Sequence, residues 1–151
     1  TPEKAEFVLK ETGADAIMIG RAAQGRPWIF REINHFLETG GKLPTPQINE
    51  IQEIMNAHLI DHYEFYGEYI GLRTARKHIG WYSSGLKASA EFRAKVNITQ
   101  GAANVRGEVE RFYDNIIYDD SAERIKEALI EMENEPEIPA EEAPKAETEV
   151  K

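Results

Sequence analysis

Cysteine is missing from this 151-residue sequence. Without a thiol the chain cannot form disulfides, thiolate metal sites or a cysteine nucleophile. Long apolar runs are missing too: no stretch approaches the roughly 18 residues that a membrane span needs, and no signal-peptide pattern is recognisable. We therefore expect no membrane partner. The length is that of one domain, and an apolar content of 41% is enough to build a core.

Charge is distributed unevenly along the chain. The net charge is −9, but residues 119–151 alone hold 12 acidic and 4 basic residues. Between Ile70 and Arg106 there are seven basic residues and one acidic residue, Glu91, which gives this segment a net charge of +6. The whole-chain charge argues against a nucleic-acid partner, whereas the local charge favours a polyanion.

The first 41 residues have the pattern of an α/β fold. Apolar spacing predicts helices over 2–11 and 28–39, and the continuous apolar run over 16–19 predicts a strand. A strand that is apolar on both faces is typical of a parallel sheet covered by helices. No second strand of this kind follows. Since the chain also starts at threonine, we expect it to be a piece of a longer protein.

The rest of the chain is predicted to be helical. After a Gly/Pro connector, helical spacing and glycine stops predict four helices that form a small antiparallel bundle. A further helix, capped by Ser121, is predicted over 119–134. Residues 135–151 are predicted to be a disordered acidic tail, which keeps the chain soluble or competes for its basic segment. The four bundle helices are predicted at 47–66, 69–83, 89–96 and 102–118.

Gly20 and Arg21 directly follow the predicted strand. Ligands bind at the carboxyl ends of strands in α/β folds, where glycine lets the backbone approach a phosphate and arginine pairs with its charge. The residues alone predict either a phosphate site or a plain turn.

A basic face runs along the helix predicted over 69–83. At about 100° per residue, Arg73, Arg76 and Lys77 fall on one side, opposite an apolar stripe. Basic residues on later elements extend the charge: Lys87, Arg93, Lys95 and Arg106. This pattern predicts a nucleic-acid surface, with a solvated helix face as the alternative.

Two histidines have the spacing of metal ligands. His58 and His62 stand four residues apart, but the zincin signature is not met because the position after His58 is a leucine. Both lie on the apolar stripe of their helix, so we expect packed side chains and no metal. His78 lies off the basic face, towards the aromatic side chains. No arrangement of residues in this chain predicts a catalytic group.

Three stretches resemble the tRNA-dihydrouridine synthases, and their B-type subfamily in particular. The stretches are TGADAIMIGRAAQGRPWIF at 12–30, RTARKHIGWY at 73–82 and EFRAKVN at 91–97. The resemblance covers roughly residues 1–117. It implies an enzyme that reduces uridine to dihydrouridine in tRNA with FMN as cofactor and NADPH as reductant. It also implies a cytoplasmic location.

The resemblance assigns a place and a role to several parts of the chain. It implies a mainly α chain in which residues 1–41 are the last βα piece of an FMN-binding (β/α)8 TIM barrel and residues 47–118 bind tRNA. Gly20 and Arg21 would contact the FMN phosphate. The residues expected to contact tRNA are Arg73, Arg76, Lys77, His78, Arg93 and Lys95.

The family's proton donor is missing. That donor is a cysteine on an earlier barrel loop, and this chain has none. We therefore expect that the chain by itself neither retains FMN nor reduces uridine. Two alternatives remain open: a free-standing RNA-binding module, or a helical domain that binds an acidic protein. No obligate protein partner is inferred.

Overall fold

The computed structural model describes residues 1–134, with side chains through residue 127. This part of the chain contains five α-helices and one 3₁₀ turn, Arg21–Ala23. The helices are α1 Pro2–Thr12, α2 Ile29–Thr39, α3 Ile48–Tyr82, α4 Ser89–Ile98 and α5 Ala102–Asn134. The prediction of a mainly α chain is confirmed. No helix within residues 1–134 is long and apolar enough to cross a membrane.

Residues Thr1–Tyr118 form one compact unit, and α5 continues beyond Tyr118 into a second. The continuity of α5 corrects the predicted break between residues 118 and 121. The segment from Tyr118 to Asn134 has no glycine or proline to stop a helix, and an ion pair of 3.0 Å joins Arg124 to Asp120 one turn earlier. The predicted disordered tail, residues 135–151, lies outside the described residues.

The strand predicted over residues 16–19 does not form; no strand occurs in residues 1–134. A strand needs a neighbour for its backbone N–H and C=O groups, and this part of the chain offers none. The segment nevertheless keeps the two-residue alternation of a strand. Ile17 and Ile19 pack against the cluster of Ala5, Ile29 and Ile33, while Met18 between them is 88% exposed.

The break in α3 at Gly67 confirms the predicted helix end. Gly67 has φ 71° and ψ 168°, outside the helical region. Contacts across the break pair His58 with Tyr82 and His62 with Thr74. The partner's number falls from 82 to 74 as the position in the first half rises from 58 to 62. The two halves of α3 therefore run antiparallel and form a helical hairpin.

The main core lies between the halves of α3 and helices α4 and α5. Tyr113 on α5 is fully buried and donates a hydrogen bond of 3.3 Å to the carbonyl of Tyr82. The ring centroids of Phe92 and Phe112 are 4.0 Å apart in a stacked pair. Phe65 near the end of the first half of α3 is 80% exposed, because α3 turns away two residues later.

The loop between the 3₁₀ turn and α2 packs tightly on the end of α3. Gly25 has φ +71°, and a Cβ added there would lie 2.5 Å from the carbonyl carbon of Trp81. Trp28 also reaches this region, with its ring centroid 6.4 Å from that of Tyr82. The loop of residues 24–28, which follows the Gly20–Arg21 turn and which we call the anchored loop, is therefore fixed to the helical part of the unit.

Replacing Gly25 by alanine tests this anchor. We expect Gly25→Ala to lower the free energy of unfolding by about 3 kcal/mol, because it combines a left-handed backbone with a clash against backbone atoms. Gly40 is the matched control: its φ is +72°, but nothing lies within 4 Å of an added Cβ. Gly40→Ala should cost about 1 kcal/mol. Urea unfolding followed by circular dichroism measures both, and equal losses would contradict the anchor.

Candidate functional site

The turn at Gly20 leaves an arginine exposed beside open space. Gly20 precedes the 3₁₀ turn and accepts a hydrogen bond of 3.1 Å from the backbone N–H of Ala23. A Cβ added to Gly20 would meet nothing within 4 Å. Arg21 is exposed, and its guanidinium has no ion-pair or hydrogen-bond partner among the described residues. This arrangement is able to bind an anion through the guanidinium.

Two of the predicted RNA contacts carry charge that no carboxylate balances in residues 1–127. Arg73 is exposed and donates a hydrogen bond of 3.2 Å to the hydroxyl of Tyr69. The ammonium of Lys77 lies 5.8 Å from the ring centroid of Trp81. Each cation therefore sits beside an aromatic ring, an arrangement that suits both phosphate pairing and base stacking.

Arg76 and Arg93 extend the same surface onto α4. Arg76 donates a weak hydrogen bond of 3.4 Å to the carbonyl of Thr99, and its Nε is buried with no partner among the described residues. Arg93 lies along the side of α3, since its Cδ is 3.6 Å from an added Cβ at Gly80. We call the four residues Arg73, Arg76, Lys77 and Arg93 the basic surface.

Lys95 is placed differently from the other predicted RNA contacts. Its ammonium forms an ion pair of 2.6 Å with Glu108, which also pairs with Arg111. The hydrogen bond from Lys95 is the largest of the effects that lower the pKa of Glu108. The charge of Lys95 is therefore already matched within the fold, and its contact with RNA stays a prediction.

His78 lies with two other histidines. One ring nitrogen of each of His58, His62 and His78 lies within 4.8 Å of the others. We call these three residues the histidine cluster. The spacing of His58 and His62 was visible in the sequence, but the approach of His78 was not. The signal that could have found it is the hairpin at Gly67, which places residue 78 opposite residues 58 and 62.

Burial keeps two of these imidazoles neutral. It is the largest effect lowering the pKa of His78 to about 4, and the charges of His58, Lys77 and His62 lower it further. Burial likewise lowers the pKa of His62. Hydrogen bonds orient the rings: Nδ1 of His58 is 3.2 Å from the Tyr82 hydroxyl, and Nε2 of His62 is 2.7 Å from the Thr74 hydroxyl. Neutral imidazoles in this arrangement are able to ligate a metal.

A cavity of about 280 Å³ is lined by residues of the anchored loop and of α3. It brings His58 and His78 of the histidine cluster and Lys77 of the basic surface to the same opening as the loop that follows Arg21. The lining residues are Ala23, Gln24, Gly25, Pro27, His58, Lys77, His78, Trp81 and Tyr82.

The lowered pKa of His78 predicts a pH dependence of stability. Between pH 6.5 and about 4 the unfolded chain protonates this residue while the folded chain does not, so the free energy of unfolding should fall as the pH falls. Above pH 6.5 the imidazole is neutral in both the folded and the unfolded chain, so it no longer makes the free energy of unfolding depend on pH. The measurement is urea unfolding of EDTA-treated protein at a series of pH values. The slope of the free energy of unfolding against pH should be shallower for His78→Gln than for the wild type. Identical slopes would contradict the assignment.

Comparison with known proteins gives one consistent result. The family model described as Dihydrouridine synthase (Dus) matches residues 1–117. The chain is 50% identical over 116 residues to tRNA-dihydrouridine synthase B of Vibrio vulnificus, and 52% identical over 117 residues to that of Shewanella oneidensis. These alignments cover 77% and 78% of this chain and 36% of each relative. The chain therefore spans about a third of the length of the curated relatives it matches.

Proposed function

The chain belongs to the dihydrouridine synthase family, and on that basis we propose that it is the C-terminal part of a flavin-dependent tRNA-dihydrouridine synthase of B type. The observation that carries this proposal is the match over residues 1–117, which includes both the Gly20–Arg21 turn and the basic surface. The complete enzyme would reduce uridine to 5,6-dihydrouridine in tRNA, in the cytoplasm, with NADPH as reductant.

Gly20 and Arg21 fit the phosphate end of FMN. The open space at Gly20 and the unpartnered guanidinium of Arg21 are what a phosphate needs from a turn. In the complete enzyme a bound flavin would supply the hydride for uridine reduction. The role of this chain's residues is to hold the phosphate and neutralise part of its charge.

Residues 1–41 fit the end of a barrel that continues elsewhere. Met18 is almost fully exposed between the half-buried Ile17 and Ile19. A strand with partners would bury such a side chain, so the exposed apolar face supports our proposal that this segment pairs with barrel strands outside the chain.

The basic surface is proposed to bind the tRNA backbone. Arginine and lysine side chains neutralise phosphates and release counterions. Binding of this kind depends strongly on salt and has little sequence specificity. Tyr69 and Trp81 stand beside Arg73 and Lys77, so unpaired bases would find aromatic rings next to these cations. The surface therefore holds RNA, and the choice of uridine depends on how the tRNA meets the rest of the enzyme.

A charge-removal experiment tests this role. We expect the purified chain to bind unmodified tRNA, and the triple change of Arg73, Arg76 and Lys77 to glutamine to weaken that binding strongly. Because three phosphate contacts are lost, the slope of log K against log salt should become shallower by about 3. Fluorescence anisotropy with labelled tRNA across a salt series measures both effects.

The matched control removes the same charge elsewhere. Changing Lys4, Lys10 and Lys42 to glutamine should leave tRNA affinity close to that of the wild type, since these residues lie outside the basic surface. Equal weakening by both triples would show that only net charge matters. Absence of tRNA binding by the wild-type chain would favour the helical protein-binding domain instead.

The chain alone is expected not to retain FMN. A single turn offers only the phosphate contacts, and the groups that would enclose the flavin ring lie outside this chain. Absorbance of the purified chain in the visible flavin bands should be far below one FMN per chain, even after incubation with FMN and gel filtration. Co-purification of FMN at one per chain would contradict this part of the proposal.

A further inference from the structure

We propose that His58, His62 and His78 form a binding site for a divalent transition-metal ion, and that Zn²⁺ is the ion it fits best. The inference rests on the geometry of the histidine cluster and does not depend on the proposed function.

The cluster has the number and proximity of ligands that such a site needs. One nitrogen from each ring lies within 4.8 Å of the other two. The ring centroids of His58 and His78 are 4.8 Å apart, and those of His62 and His78 are 5.3 Å apart. Nitrogens bound to one tetrahedral zinc are about 3.4 Å apart, given Zn–N bonds of about 2.1 Å. The three rings therefore need only small side-chain rotations to close on an ion.

The hairpin holds these ligands at fixed positions. His58 and His62 are one turn apart on the first half of α3, and His78 faces them from the second half. The main-chain positions are set by the core around them, including the fully buried Met55, Leu59 and Ile79. Ligands on two packed helices are pre-organised, so an ion would not have to order a loop.

The hydrogen bonds around the cluster leave lone pairs for an ion. The Thr74 hydroxyl donates a hydrogen bond of 2.9 Å to the carbonyl of Ile70, so its oxygen accepts the hydrogen bond from Nε2–H of His62. That arrangement leaves Nδ1 of His62 unprotonated, which is the form in which imidazole ligates a metal. The Tyr82 hydroxyl is able to accept from Nδ1 of His58 in the same way. Metal-binding histidines are commonly oriented by oxygen partners of this kind.

The surroundings leave room for a fourth ligand. His58 and His78 line the cavity of about 280 Å³, so water can complete a tetrahedral set. Three imidazoles with an open position are a known zinc arrangement. No carboxylate belongs to the cluster, and the charge of Lys77 acts on His78. We therefore expect micromolar affinity, weaker than that of a site with an anionic ligand.

Spectroscopy with Co²⁺ and calorimetry with Zn²⁺ test the proposal on the 151-residue chain. After treatment with EDTA and gel filtration at pH 7.5, titration with Co²⁺ should give the intense visible bands of a tetrahedral complex. Calorimetry should give one Zn²⁺ per chain. The change His78→Gln should weaken Zn²⁺ binding by at least about 100-fold, since even the loss of an outer hydrogen-bond partner costs about 10- to 100-fold. Thr74→Val should weaken it by about 10- to 100-fold.

His35 supplies the matched control, because it is the one histidine of the sequence outside the cluster. His35→Gln should leave the Zn²⁺ affinity unchanged. Imidazole ¹⁵N shifts of the wild-type chain provide a measurement that needs no variant: added Zn²⁺ should shift nitrogens of all three cluster histidines and none of His35. Shifts confined to His35, binding that His78→Gln leaves intact, or Co²⁺ without tetrahedral bands would each overturn the proposal.

Discussion

The close approach of Gly25 to Trp81 is the constraint on which the arrangement of the candidate site depends. Only a residue without a Cβ fits there, because an added carbon would lie within 2.5–2.8 Å of three Trp81 atoms. Gly25 lies four residues after Arg21, and Trp81 lies four residues after Lys77. One backbone contact therefore joins the turn proposed to hold a flavin phosphate to the helix proposed to hold RNA. The proposed function needs such a fixed relation, because a cofactor and its substrate react only when they are held in a defined geometry.

The hairpin at Gly67 is the second constraint, and it separates two kinds of chemistry on one helix. On its outer side α3 presents Arg73 and Lys77 beside aromatic rings. On its inner side the same turns bring His78 onto His58 and His62. The family resemblance implies that His78 contacts tRNA, and this stays a prediction. In the structure its ring neighbours are imidazoles and Trp81.

The helices could be predicted from the sequence because the signals that mark them lie within each segment. Apolar spacing and glycine stops placed the break at Gly67, and the Gly13 and Gly40 ends of α1 and α2, within a residue or two of their positions. Sequence prediction failed where the outcome depends on distant partners. The apolar run around Met18 predicts a strand, yet a strand cannot form without a neighbouring strand to pair with. Ser121 is predicted to cap a separate helix, yet no glycine or proline ends α5 before it and the helix continues.

The candidate site divides in the same way. The cations of the basic surface and the Gly20–Arg21 turn are visible in the sequence, because charge and dipeptide pattern suffice to mark them. The pairing of Lys95 with Glu108 and the approach of His78 to the other two histidines are not visible, since each joins residues more than a dozen positions apart. Such contacts are set by how helices pack, which spacing along one helix does not reveal.

Ultraviolet cross-linking of the chain to unmodified tRNA, followed by mass spectrometry of the peptides, tests the central claim most directly. If the basic surface binds RNA, cross-links should concentrate between Tyr69 and Trp81, where aromatic rings stand beside the cations. The peptide of α1, which lies outside the basic surface, should remain free of RNA. Cross-links confined to α1, or spread evenly along the chain, would contradict the account.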